Sequence, residues 1–191
     1  MQDQQIVILF NSVFKHTHNT QIIGGGSEPE YIPADDRVNY HRIIYTEDFS
    51  ASALHEIAHW CIAGTERRLQ RDYGYWYLPD GRNPQEQKQF EQVESKSQAL
   101  EWVFAKACGN QFVVSADNLD STKSQSESPS LNFKQSIVKH ALRYCRGELN
   151  ERATIWTEAL YRQRIIDTKI DDSADCVGFL DSAHYCIKAL G

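Results

Sequence analysis

The segment His55-Glu56-Ile57-Ala58-His59 constrains this chain more than any other. In an α-helix, residues i and i+4 lie one turn apart on the same face. Two imidazoles placed so can bite one ion, and Glu56 can reach an ion-bound water from the same side. The surroundings predict that helix. Ser50 is the expected N-cap, Leu54, Ile57, Ala58, Cys61 and Ile62 form the apolar stripe, and Gly64 is the expected stop.

A second helix, expected from about Gln85 to Cys108, carries candidates for a third ligand. Glu91, Glu94, Gln98 and Glu101 follow at spacings of three, four and three and share one face. Val93, Leu100, Val103 and Phe104 mark the adjacent core-facing stripe. Such a carboxylate row is ordinarily a solvated face, yet a glutamate at its edge can point into a site. Glu94 is the chosen third ligand, with Glu101 and Glu91 as alternatives. Gln98, one turn on, is expected to orient a histidine ligand through its other ring nitrogen. Two histidines and one carboxylate leave coordination positions open, as catalytic sites do. The set suits zinc, polarising water with Glu56 as general base, or ferrous iron activating dioxygen; spacing does not choose between them.

Composition narrows the class. With 191 residues, 41% hydrophobic and 24% charged, the chain is long enough for one globular domain with a real core. No apolar run approaches membrane-spanning length, and MQDQQ does not begin a secretory signal, so the expected location is cytoplasmic, with no membrane partner. A net charge of −6 disfavours direct nucleic-acid binding. The local basic run Arg67, Arg68, Arg71 reads as a solvated helix surface. Five cysteines without C-x-x-C spacing read as free thiols, leaving histidines and carboxylates to build any metal site.

The rest of the chain predicts an α+β fold in a single domain over residues 1–191. Residues 3–15 have helical apolar spacing, and 20–24 read as a short strand ended by the turn Gly24-Gly25-Gly26. Residues 30–33 are extended before Pro33, and Arg42–Tyr45 form a buried strand. The triple glycine lacks the pattern of a phosphate loop. Residues 120–130 read as a mobile loop, and 131–191 as a helical C-terminal portion with helices near 131–146, 150–166 and 173–189. Residues 72–84 form an aromatic, turn-rich loop. Its Tyr75, Trp76 and Tyr77 read either as core or as a cleft wall. As a wall, their faces attract ammonium groups, Asp72 or Asp80 adds charge attraction, and Arg82 stabilises the loop.

HEIAHWCIAGTERRLQRDYGYWYLPDGR, followed by FEQVESKSQALEW and preceded by EPEYIPAD and RIIYTEDFSASALHE, resembles the bacterial elongation factor P hydroxylases over about residues 5–120. The combination is far more specific than any of its parts. The resemblance implies hydroxylation of the already β-lysylated lysine of elongation factor P. It also implies a 2-His-1-carboxylate metal, non-haem Fe(II) with zinc able to stand in for it in vitro, and dioxygen as co-substrate. Carried over residue by residue, the ligands are His55, His59 and Glu94. Ser97 departs from the proline expected in some relatives, a change expected to matter little. The helical ligand set differs from that of strand-borne H-x-D oxygenases, so 2-oxoglutarate is not implied. A zinc metallopeptidase with Glu56 as base is the runner-up reading. A non-enzymatic partner of the translation machinery, with a structural metal, is the third.

Overall fold

The computed structural model describes residues 1–46, 49–74, 84–115 and 129–168, which form an α+β fold of five helices and a three-stranded sheet. Helix α1 spans Asp3–Phe14, and strands β1, β2 and β3 span Thr20–Gly26, Glu30–Ile32 and His41–Thr46. Helices α2, α3, α4 and α5 span Ser50–Ile62, Pro84–Cys108, Leu131–Cys145 and Glu151–Thr168. No helix among the described residues is long and apolar enough to cross a membrane.

Strand β3 contains the buried strand expected at Arg42–Tyr45 and is the central one of the sheet. It pairs parallel with β1, Ile22 opposite Ile43, and antiparallel with β2, Tyr31 opposite Ile43. Ile43 and Tyr45 alternate into the core. The glycine run corrects the expected turn: β1 continues through it, with a register shift between Ile23 and Gly26. Close approach explains the residue type. A Cβ on Gly24 would stand 2.5 Å from the Tyr45 hydroxyl, and one on Gly26 2.5 Å from Ile44 Cγ2 and 2.9 Å from the Glu28 carbonyl oxygen.

After β3 the chain enters α2, which packs on α1, β3, α3 and α5. Ala53, Leu54, Ile57, Ala58, Trp60 and Cys61 are buried on it. Phe10 and Phe14 of α1 pack edge-on against Trp60 at 5.3 and 4.9 Å between ring centres, and Trp156 of α5 closes the cluster on Phe10 at 5.4 Å. A smaller cluster, Ala99 and Trp102 of α3 with Phe133, Ile137 and Ala141 of α4, lies on the far side of α3.

The ends of α2 differ from the sequence expectation. Phe49 occupies the N-cap position without a side-chain cap, and Ser50, one residue inside, accepts a hydrogen bond from Asn110 Nδ2 at 3.0 Å. At the other end Gly64 does not take a left-handed conformation. Cations cap the helix instead. Arg152 Nη2 donates to the carbonyls of Trp60, Cys61 and Ala63 at 3.2, 2.9 and 2.7 Å, and Arg68 Nη1 donates to Ala63 at 2.6 Å. These groups neutralise the unpaired carbonyls and negative end of the helix dipole. They also hold the turn that carries His59.

Candidate metal centre

Helices α2 and α3 pack side by side and point five polar side chains at one another. From α2 come His55 and His59, one turn apart. From α3 come Glu94, Ser97 and Glu101, buried to 2%, 1% and 8% exposure at spacings of three and four that keep them on one face. The Nε2 atoms of the two histidines lie 3.0 Å apart. The Glu94 carboxylate bridges them, Oε1 at 3.2 Å from His59 Nε2 and Oε2 at 3.5 Å from His55 Nε2. Among the described residues this is the one group of three or more candidate ligands whose donor atoms converge.

Those separations fit an ion. Donors each about 2.1 Å from one centre stand about 3.0 Å apart at a right angle and about 3.4 Å apart at a tetrahedral angle. The chemistry fits as well. Glu101 Oε2 lies 2.9 Å from His55 Nδ1, and a carboxylate only accepts, so the ring's proton sits on Nδ1 and the Nε2 lone pair faces Glu94 and His59. Ser97 Oγ engages His59 Nδ1 at 3.2 Å. Facing polar atoms at 3.0–3.5 Å need a hydrogen between them or a metal ion in its place. The metal-free site takes the proton. Burial alone would lower the pKa of His55, but the Glu101 hydrogen bond, reinforced by the charges of Glu94, Glu101 and Glu56, raises it well above the ordinary imidazole value.

Glu56 is not among the converging ligands. Burial pushes its pKa up, His59 and His55 oppose the shift, and Glu94 and Asp72 add to it. A carboxyl group poised this way can hold a proton beside the ligands.

The remaining sequence candidates divide. Glu91 is half-buried and takes a hydrogen bond from Gln87 at 3.5 Å, outside the convergent group. Glu101 stands on the Nδ1 side of His55, away from the point where the donors meet. Gln98 corrects the expectation that it orients a histidine. Its amide is spent on Ser115, donating to the carbonyl at 2.8 Å and accepting from the N–H at 3.2 Å. Register is the reason: positions 97 and 101 face α2, while 98 is rotated toward the segment that follows α3. Tyr75, Trp76, Tyr77, Asp80 and Arg82 lie outside the described residues.

A cleft of about 350 Å³ opens beside His59, lined among others by Ile62, Glu66, Arg67, Tyr73, Val93 and Ser97. The basic run at its rim forms two short 3-10 turns rather than an α-helix; Arg67 and Arg71 are exposed, as expected, and each arginine has a partner within the chain. Arg67 donates to the Tyr73 carbonyl at 3.0 Å, Arg68 caps α2, and Arg71 pairs with Glu30. Asp72 and Tyr73 both adopt left-handed backbone angles, φ 48° and 57°. Asp72 Oδ1 accepts the Tyr31 N–H at 2.9 Å, and the Tyr31 and Tyr73 rings stack at 4.3 Å, which holds the strained pair in place.

A family profile described as elongation factor P hydroxylase matches residues 9–171. The chain belongs to the elongation factor P hydroxylase family. Within it, the chain is 44% identical over 157 residues to a protein of Haemophilus influenzae named elongation factor P lysine hydroxylase, covering 82% of this chain and 86% of that protein. The family match covers both helices that build the centre, α2 and α3. Of the residues gathered there, sequence reasoning had passed over Ser97 as a neutral departure and weighed Glu101 only as a ligand. Their i+3 and i+7 spacing from Glu94 was the available signal.

Proposed function

We propose that this chain hydroxylates the β-lysylated lysine of elongation factor P, with a non-haem ferrous ion held by His55, His59 and Glu94 and with dioxygen as co-substrate. The observation that carries the metal part is the convergence of the three side chains at 3.0–3.5 Å, together with a hydrogen-bond partner for the Nδ1 atom of each histidine. Family membership supports the hydroxylase activity and the protein substrate. When bound, iron supplies the activation of dioxygen that insertion into a C–H bond requires.

The chain's own residues prepare that chemistry. His55, His59 and Glu94 would hold the ion, and three protein ligands would leave coordination positions for a co-substrate. Ile62, Val93 and Tyr73 give the cleft apolar wall area against which the aliphatic part of a lysyl chain can pack and exclude water. Glu56 holds or yields a proton at its carboxyl group. Tyr75, Trp76, Tyr77, Asp80 and Arg82 follow closely on cleft-lining Tyr73 in the chain, and we assign them to the cationic substrate side chain. We place the reaction in the cytoplasm, with no direct nucleic-acid partner and no membrane partner; 2-oxoglutarate is not implied.

Inserting one oxygen atom of dioxygen into a C–H bond leaves the other as water and consumes two electrons and two protons, so the test supplies a reductant: anaerobic reconstitution of metal-free protein with ferrous iron or zinc, addition of β-lysylated elongation factor P, a two-electron donor such as ascorbate, and air, then intact-mass analysis of the factor. A gain of one oxygen, about 16 Da, with iron alone is the expected result. Peptide cleavage by the zinc-loaded protein, without that gain, would replace this reading with a metallopeptidase.

A further inference from the structure

Glu101 is a buried carboxylate whose hydrogen-bond partner among the described residues is one imidazole nitrogen. Burying an ionised carboxylate is costly unless the charge is used. The arrangement around His55 shows the use. Glu94 and Glu101, two turns apart on α3, take opposite edges of the same ring: Oε2 of Glu94 is 3.5 Å from Nε2, and Oε2 of Glu101 is 2.9 Å from Nδ1. The ring is clamped between them. His59 has a weaker version of the clamp, with the neutral Ser97 hydroxyl 3.2 Å from its Nδ1.

We propose that Glu101 is a positioning residue of the metal centre: by accepting the Nδ1–H of His55 it fixes the ring's tautomer and rotation and makes Nε2 the stronger of the two nitrogen donors. A carboxylate partner raises electron density on the imidazole, and a ring held at both edges loses little freedom when an ion arrives. The two histidine ligands are therefore unequal, one backed by a full charge and the other by a hydroxyl. This inference rests on the reading of His55, His59 and Glu94 as ligands, and the experiment separates the two.

Metal-free wild type, Glu101→Gln, Glu101→Ala and His55→Ala are titrated with cobalt(II) and zinc against a competing chelator, with far-UV circular dichroism as the check on folding. Glu101→Gln keeps an acceptor of nearly the same shape and loses the charge. It is expected to bind about 10-fold more weakly, and Glu101→Ala, which loses acceptor and charge, up to about 100-fold more weakly. Wild-type affinity in Glu101→Gln, with His55→Ala impaired, overturns the role of Glu101 alone. Wild-type affinity in His55→Ala overturns the ligand reading itself. A second measurement needs no variant: nitrogen-15 spectra of the zinc-loaded wild type should show His55 protonated at Nδ1 and coordinated at Nε2, and the reverse tautomer overturns the proposal even if the Glu101 variants do not fold.

Discussion

His55 Nε2 and His59 Nε2 lie 3.0 Å apart, a separation that one hydrogen bridges in the metal-free centre and that two nitrogen ligands of one ion also take. The Glu94 carboxylate faces the same point, so removing any one of the three leaves the others crowded and under-coordinated. His55→Ala, His59→Ala and Glu94→Ala should each lower metal affinity by at least about 100-fold and bring hydroxylation below detection. Metal content by inductively coupled plasma mass spectrometry and product by intact mass check this. Full activity in any of the three would remove that residue from the ligand set.

Metal uptake should depend on pH with a defined sign. The folded-state pKa of His55 lies above its unfolded value, so proton binding there stabilises the metal-free protein fully below the unfolded value of about 6.5, and that contribution fades as pH rises through the raised folded value. A metal ion must displace this proton. Apparent metal affinity should therefore climb with pH across the same interval, with proton release on binding. Calorimetry in two buffers of different ionisation enthalpy measures the protons released; none released at pH 7 would contradict the raised pKa.

The phenol of Tyr73 is buried and its hydroxyl has no hydrogen-bond partner among the described residues. Tyr73→Phe keeps the ring stacked on Tyr31 and removes an unsatisfied polar atom. It should leave stability unchanged or raise it by about 1 kcal/mol. Asp72→Ala should instead lose about 1–2 kcal/mol, because alanine tolerates the left-handed angle no better and abandons the Tyr31 N–H. Chemical denaturation of both variants checks the contrast.

Arg152 binds three carbonyls at the end of α2 and lies over the Trp60 ring at 5.0 Å. Arg152→Leu should cost on the order of 2–4 kcal/mol, since among the described residues those carbonyls keep only Asn150 and Arg68 as side-chain donors. The same variant should loosen the turn bearing His59 and weaken metal binding, although residue 152 lies nowhere in the centre. Thermal unfolding, with and without zinc, reads both effects.

Much of the centre was legible in the residues. Helical periodicity alone puts His55 and His59 on one face of α2, and it puts Glu94 at the edge of the apolar stripe of α3. The β-branched run before α2 marks the central strand in the same way, because strand and helix periods are local properties of the chain. What sequence could not decide was how α3 is rotated against α2. One residue of register exchanges the roles of Ser97 and Gln98: the expected orienting amide turns to Ser115, and a serine set aside as inconsequential meets His59. The same rotation puts Glu101 behind His55 rather than in front of it. Nor does any local rule say that Arg152, some ninety residues away, ends α2 in place of Gly64. Local sequence determines which side chains share a face, since that needs only the pitch of one helix. Which face meets which is decided by packing between elements far apart in the chain, and that exists only once the core has closed.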